Sequence, residues 1–133
     1  MKLDLSSLDN ALASLQKAVD RSRLVPADEE IRDAVIQRFE YTYELSCKML
    51  KRQMEQEVSN PAELDQLGFR DLLRLAAERG LLSDIENWMD FRNQRNITSH
   101  AYDRVKAQSV YQTAIQFADN ARTLLEELKR RNA

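Results

Sequence analysis

DEEIRDAVIQRFEYTYELSCKMLKRQMEQEV, residues 28–58, contains neither Gly nor Pro and keeps one helical beat throughout. Ile36, Phe39, Tyr43, Cys47, Leu50 and Met54 fall at steps of three and four and form one stripe. Ile31, Val35, Leu45 and Met49 widen it. A helix of about 30 residues would be about 45 Å long. Its apolar arc is too broad for one neighbour, so it is predicted to be the central element of the fold.

The flanks carry the same signature. Leu5, Leu8, Leu12, Leu15 and Val19 make a first stripe, with Ser6 or Ser7 as its expected N-cap. Pro26 breaks the chain before the long helix. Asn60-Pro61 opens a second break and Gly68 closes it. A shorter helix is expected over 69–79, with Leu72, Leu73 and Ala76 inward and Gly80 as its stop. Ser83 or Asp84 would cap a fourth helix that turns Ile85, Trp88 and Met89 to the core. From about Lys106, Val110, Ala114, Phe117, Ala121, Leu124 and Leu128 mark a fifth. The expected fold class is all-α: an antiparallel four-helix bundle with an additional short helix, in one domain over 1–133. The tail Lys129-Arg130-Arg131 reads as a solvated helix end.

Composition agrees. With 133 residues, 43% hydrophobic and 32% charged, the chain suits one globular domain. Two Gly and two Pro are too few for the turns of a β-sandwich or barrel. The start, MKLDLSSLDNALASL, places Asp4 and Asp9 where a secretory signal needs apolar residues. No stretch approaches the roughly 18–20 apolar residues of a membrane helix. A cytoplasmic protein without membrane contact is expected. The net charge of −2 argues against a broad nonspecific nucleic-acid surface but not against a local basic site.

Several chemistries can be set aside. Neither GxxxxGK[ST] nor GxGxxG occurs, so no standard phosphate loop is expected. One Cys and one His leave too few ligands for a four-ligand zinc site. A di-iron bundle needs Glu-x-x-His pairs, but Ile97 stands three residues before His100. No metal and no cofactor is expected. Cys47 lies on the core stripe and reads as a small buried hydrophobe.

The informative stretch is RNQRNITSHAYDRVK, residues 92–106. Arg92, Arg95, Arg104 and Lys106 face only Asp103, a local charge of +3. Helical spacing would put Arg92, Asn96 and His100 on one face and Arg95, Ser99 and Tyr102 on the next. Imidazole and guanidinium without metal ligands suit RNA cleavage. RNA carries its own 2′-OH nucleophile, imidazole exchanges protons near neutral pH, and guanidinium stabilises charge on phosphate oxygens. One His supplies one proton-transfer group where in-line cleavage prefers two, so a catalytic site would lie at a two-fold interface. A plainer reading competes: His100 as a helix-end residue, with the arginines paired to carboxylates of a neighbouring helix. Spacing alone favours that plainer reading.

Arg95-Asn96-Ile97-Thr98-Ser99-His100-Ala101-Tyr102 resembles the R-x4-H-x-Y motif of the HEPN superfamily. This form is found in HepT-like toxins and in the related nucleotidyltransferase substrate-binding subunits. The run from Arg32 to Leu45, together with Phe69-Arg70-Asp71 and Trp88-Met89, is similar to the same family, so the likeness covers most of the chain. An aromatic residue is common in the family where Cys47 stands here. The resemblance implies a helical bundle that forms a homodimer, beside a minimal nucleotidyltransferase partner. It implies a toxin that cleaves RNA without metal, with Arg95 and His100 as the catalytic pair and Asn96 orienting them. It implies that the partner silences the toxin by adding AMP to Tyr102. Arg92 and Arg104 would be candidate RNA contacts. The alternative is a substrate-binding subunit of the nucleotidyltransferase without nuclease activity. The retained Arg95, His100 and Tyr102 favour the enzyme, and the acidic overall charge favours the subunit.

Overall fold

The long helix forms where its stripe requires it. In the computed structural model, which describes residues 2–133, α2 spans Glu29–Glu57. Asp28 caps it, accepting from the backbone N–H of Glu30 and Ile31. Around it stand α1 (Ser6–Leu24), α3 (Phe69–Glu78), α4 (Ile85–Ile97) and α5 (Arg104–Arg131). Two 3-10 turns, Pro61–Gln66 and Thr98–His100, lie in the connections, and no strand occurs among the described residues.

Side-chain pairs fix the helix directions. Arg104 lies 3.4 Å from Glu29 at one end of α2, and Arg131 lies 2.8 Å from Glu57 at the other, so α2 and α5 run parallel. Helix α1 runs against α5: Lys129 reaches Asp9, and Tyr111 meets Ser22. Helix α4 also runs against α5, with Trp88 beside Phe117 and Gln94 beside Ser109. Thus α1, α2, α4 and α5 alternate in direction, the expected antiparallel bundle, and α3 occupies the long α2–α4 connection.

Phe117 is the centre of the core. Its ring meets Phe39, Tyr43, Trp88 and Phe91 at centroid distances of 5.2–6.0 Å. All six predicted inward residues of α5 are buried. Cys47 is partly buried and packs on the core, and burial pushes its thiol up to about 11. That agrees with a packing role.

Three local expectations change. Neither Ser6 nor Ser7 caps α1: Leu5 holds the cap position, while Asp4 accepts from the Ser6 N–H and hydroxyl. Helix α5 begins at Arg104 because Asp103 caps it, accepting from the N–H of Val105 and Lys106. The basic tail is only partly solvated. Arg131 is partly buried against Glu57 and donates to the Arg79 carbonyl at 2.6 Å. Gly80 does end α3, with φ of +77° and N–H bonds from Gly80 and Leu81 back to Ala77 and Ala76.

Candidate functional site

Helix α4 carries the first half of the motif and stops before the second. Asp84 caps its start, accepting from the Asn87 N–H, and the helix ends at Ile97. Thr98–His100 then tightens into a 3-10 turn. Extending helical spacing from Arg92 to His100 and from Arg95 to Tyr102 therefore does not hold: His100 and Tyr102 lie beyond the α-helix. The cause is tertiary. The Thr98 hydroxyl donates to Glu40 of α2 at 2.7 Å and lies 2.8 Å from the Arg95 carbonyl. That contact draws the chain out of α4 and toward α2.

The turn leaves two rings in solvent. His100 is exposed, Tyr102 is 84% exposed, and their rings meet edge to face at a centroid distance of 6.1 Å. Val105, three residues after Tyr102, is exposed as well. Arg95 lies deeper, with its side chain 33% exposed. It donates to Glu44 and stands 3.9 Å from Glu40. The bond to Glu44 holds the Arg95 guanidinium above its ordinary pKa, against partial burial, and the charges of Glu44 and Glu40 add to this. Asn96 is exposed on α4. Arg92 stacks on Phe69, its guanidinium carbon 4.4 Å from the ring centroid. Arg104 leans toward Glu29.

The structure thus brings His100 and Tyr102 together, ties Arg95 to the same turn through Glu40, and draws Arg92 and Arg104 toward other partners. The arginine pairing foreseen in the plainer sequence reading is present. It also alters the electrostatics. The local excess of +3 meets three carboxylates of α2, of which Glu40 and Glu44 both face Arg95 and Glu29 faces Arg104. Those residues and Thr98 were missed as site neighbours. A signal existed, since Glu40 and Glu44 stand four apart in α2 and share a face. Among the described residues no group of three His, Cys, Asp or Glu is placed to hold a metal ion, and no helix is long and apolar enough to cross a membrane.

Residues 3–130 match the model of a family described as nucleotidyltransferase substrate binding protein like. A Haemophilus influenzae protein named probable ribonuclease HepT is 41% identical over a 139-residue alignment that covers 98% of this chain and 95% of that one. A solved Haemophilus influenzae structure superposes with a TM-score of 0.87 at 39% identity, covering 95% of this chain and 99% of the other. It is described as the fold of a substrate binding domain of a nucleotidyltransferase. A Thermus thermophilus structure gives a TM-score of 0.75 at 27% identity, covering 91% and 98%.

Proposed function

This chain belongs to the nucleotidyltransferase substrate binding protein like family, and from that footing we propose that it is a HepT-like HEPN ribonuclease, a homodimeric cytoplasmic toxin silenced by a minimal nucleotidyltransferase. One observation carries the reading. His100 and Tyr102 stand in contact with each other in solvent at the turn that Arg95 supports. Neither exposed ring serves the core, so packing does not account for them.

Cleavage would proceed without a metal. His100 takes the proton of a ribose 2′-OH as its oxygen attacks phosphorus. Arg95 stabilises the charge that grows on the non-bridging oxygens. The bond from phosphorus to the 5′-oxygen breaks, that oxygen takes up a proton, and a 2′,3′-cyclic phosphate remains. A second copy of His100 across a dimer would supply that proton. Asn96 would orient the pair, and Arg92 and Arg104 would hold flanking phosphates. The partner would transfer AMP from ATP to the Tyr102 hydroxyl, releasing pyrophosphate. The added phosphate would then stand two residues from His100, compete for the arginines and fill the cleft.

The neutralised charge at the site favours a second reading, a substrate-binding subunit with no nuclease activity. One experiment separates the two. RNA is incubated in EDTA with wild type and with His100→Ala, alone and after co-expression with the neighbouring nucleotidyltransferase, and the intact mass of each protein is recorded. Wild type should cleave in chelator, and His100→Ala should lose about 10²–10⁴-fold. Co-expression should add mass in AMP steps that Tyr102→Phe abolishes while keeping its cleavage. Equal cleavage by His100→Ala, or activity lost in EDTA, removes the nuclease reading. AMP found on Tyr102→Phe removes the modification assignment.

A further inference from the structure

We propose that Glu44 is a latch on Arg95: it holds the guanidinium in the free protomer and yields it to an RNA phosphate, while Glu40 keeps the side chain aimed. This rests on the reading above, in which Arg95 meets a phosphodiester. Two carboxylates, one helical turn apart on α2, stand against one guanidinium. They are not equivalent. Glu40 is anchored, because one of its oxygens accepts the Thr98 hydroxyl at 2.7 Å while the other faces Arg95 at 3.9 Å. Glu44 makes no hydrogen bond other than that to Arg95 among the described residues, and its side chain is 53% exposed.

An ion pair open to water in this way contributes little to folding, so its two ends exchange partners at low cost. Glu44 accepts from one terminal nitrogen only. A phosphate offers several oxygens and permits the two-pronged contact that guanidinium favours. Of the neighbouring cations, Arg92 lies on the Phe69 ring and Arg104 beside Glu29, while Lys106 is exposed with no ion pair among the described residues. Release from Glu44 therefore frees one more guanidinium for a phosphate, the one tied to the turn that carries His100. Glu40 and Thr98 are positioning residues in this scheme. They tie Arg95 to the turn that carries His100, and they stay in place when Glu44 lets go.

The test is binding of a short fluorescein-labelled single-stranded RNA of mixed sequence, followed by anisotropy in a His100→Ala background so that nothing is cut. Glu44→Gln should tighten binding about threefold, the scale of one exposed ion pair. Glu44→Asp, which keeps the charge, should return the affinity toward the parent value. Glu126→Gln removes the same charge near the far end of α5, about 33 Å from Arg104 by 22 residues of helix rise, and should leave binding unchanged. In an Arg95→Ala background Glu44→Gln should gain nothing. Unchanged or weaker binding by Glu44→Gln, a gain that survives Arg95→Ala, or no RNA binding by any form overturns the latch. Cleavage by wild type alongside an unmoved Glu44→Gln sinks the latch and spares the nuclease. A threefold gain without cleavage by wild type does the reverse.

Discussion

At its C-terminal end α2 offers Glu57 to Arg131, and near its middle it offers Glu44 and Glu40 to Arg95. The residue types are the same and the surroundings are not. Glu57 accepts two bonds from Arg131, one from Arg79 and one from Gln53. Arg131 also donates to the Arg79 carbonyl, and Asn132 joins Gln53, the Leu128 carbonyl and the Leu3 N–H to the same knot. Of the Arg131 nitrogens only Nε lacks a hydrogen bond, and it lies 3.7 Å from Glu127. That end is closed on itself. Near the middle, Arg95 has one bonded carboxylate and a second at arm's length, and the two exposed rings follow on the turn after its helix. A structural ion pair is thereby distinguished from an available one. What matters is how many other bonds hold each partner in place.

Arg131→Ala should have the largest effect. The side chain is 16% exposed, and its loss leaves the Glu57 carboxylate and the Arg79 carbonyl short of partners. A cost of about 2 kcal/mol is expected, between that of an exposed pair and that of a buried one. Urea unfolding should show it as a lower midpoint at unchanged slope. RNA cleavage by the folded fraction should match wild type. A midpoint within experimental error of wild type would mean that the knot is ornamental.

The partition between these two regions was only partly legible in the sequence. The stripes of α2 and α5 were readable because each turn repeats a local rule, from Ile36 to Met54 and from Val110 to Leu128. The role of Arg131 was hidden because Glu57 lies 74 residues away, and local counting saw only a basic tail. The break after Ile97 was hidden for the same reason, since the bond that draws Thr98 away comes from Glu40, 58 residues earlier. Charge counted along residues 92–106 gave +3, while the three carboxylates that balance it belong to another helix. Phe91, fully buried in the aromatic cluster, lay off the three α4 positions singled out by pattern. Asp103 was legible in principle as an acid ahead of a helical run, but it was counted only as a charge.

Thr98→Val sharpens the contrast from the other side. The exchange keeps the side-chain shape and deletes the hydroxyl that reaches Glu40. Stability should fall by about 1 kcal/mol, as for one hydrogen bond. If the bond positions the turn, kcat for RNA should fall about tenfold with KM little changed, because a misplaced reacting group costs rate more than binding. Thr98→Ser, which restores the hydroxyl, should recover most of that rate. A loss that Thr98→Ser does not recover would assign the effect to packing.

Acid should separate the two regions by a smaller amount. Burial pulls the Glu57 carboxyl upward, but hydrogen bonds from Gln53 and Arg131, the Arg131 charge and the Arg79 bond outweigh it, so the net shift is downward. Glu127 is also lowered, chiefly by its bond from Arg130, with Arg131 adding to it. A carboxyl whose pKa is lowered in the folded state binds protons more readily in the unfolded chain. Its contribution is therefore whole above the unfolded value near 4.5 and is lost as pH falls through the lower folded value. Thermal unfolding from about pH 7 to about pH 3 should show wild type losing more of its midpoint than Glu57→Gln, which lacks that group from the outset. Arg131→Ala should fall between the two, because the bond and charge of Arg131 are lost while the Gln53 and Arg79 bonds to Glu57 remain. Parallel losses in all three proteins would place the acid sensitivity outside the knot, and the closed end would then owe its stability to packing around Leu128 and Met54 rather than to its ion pairs.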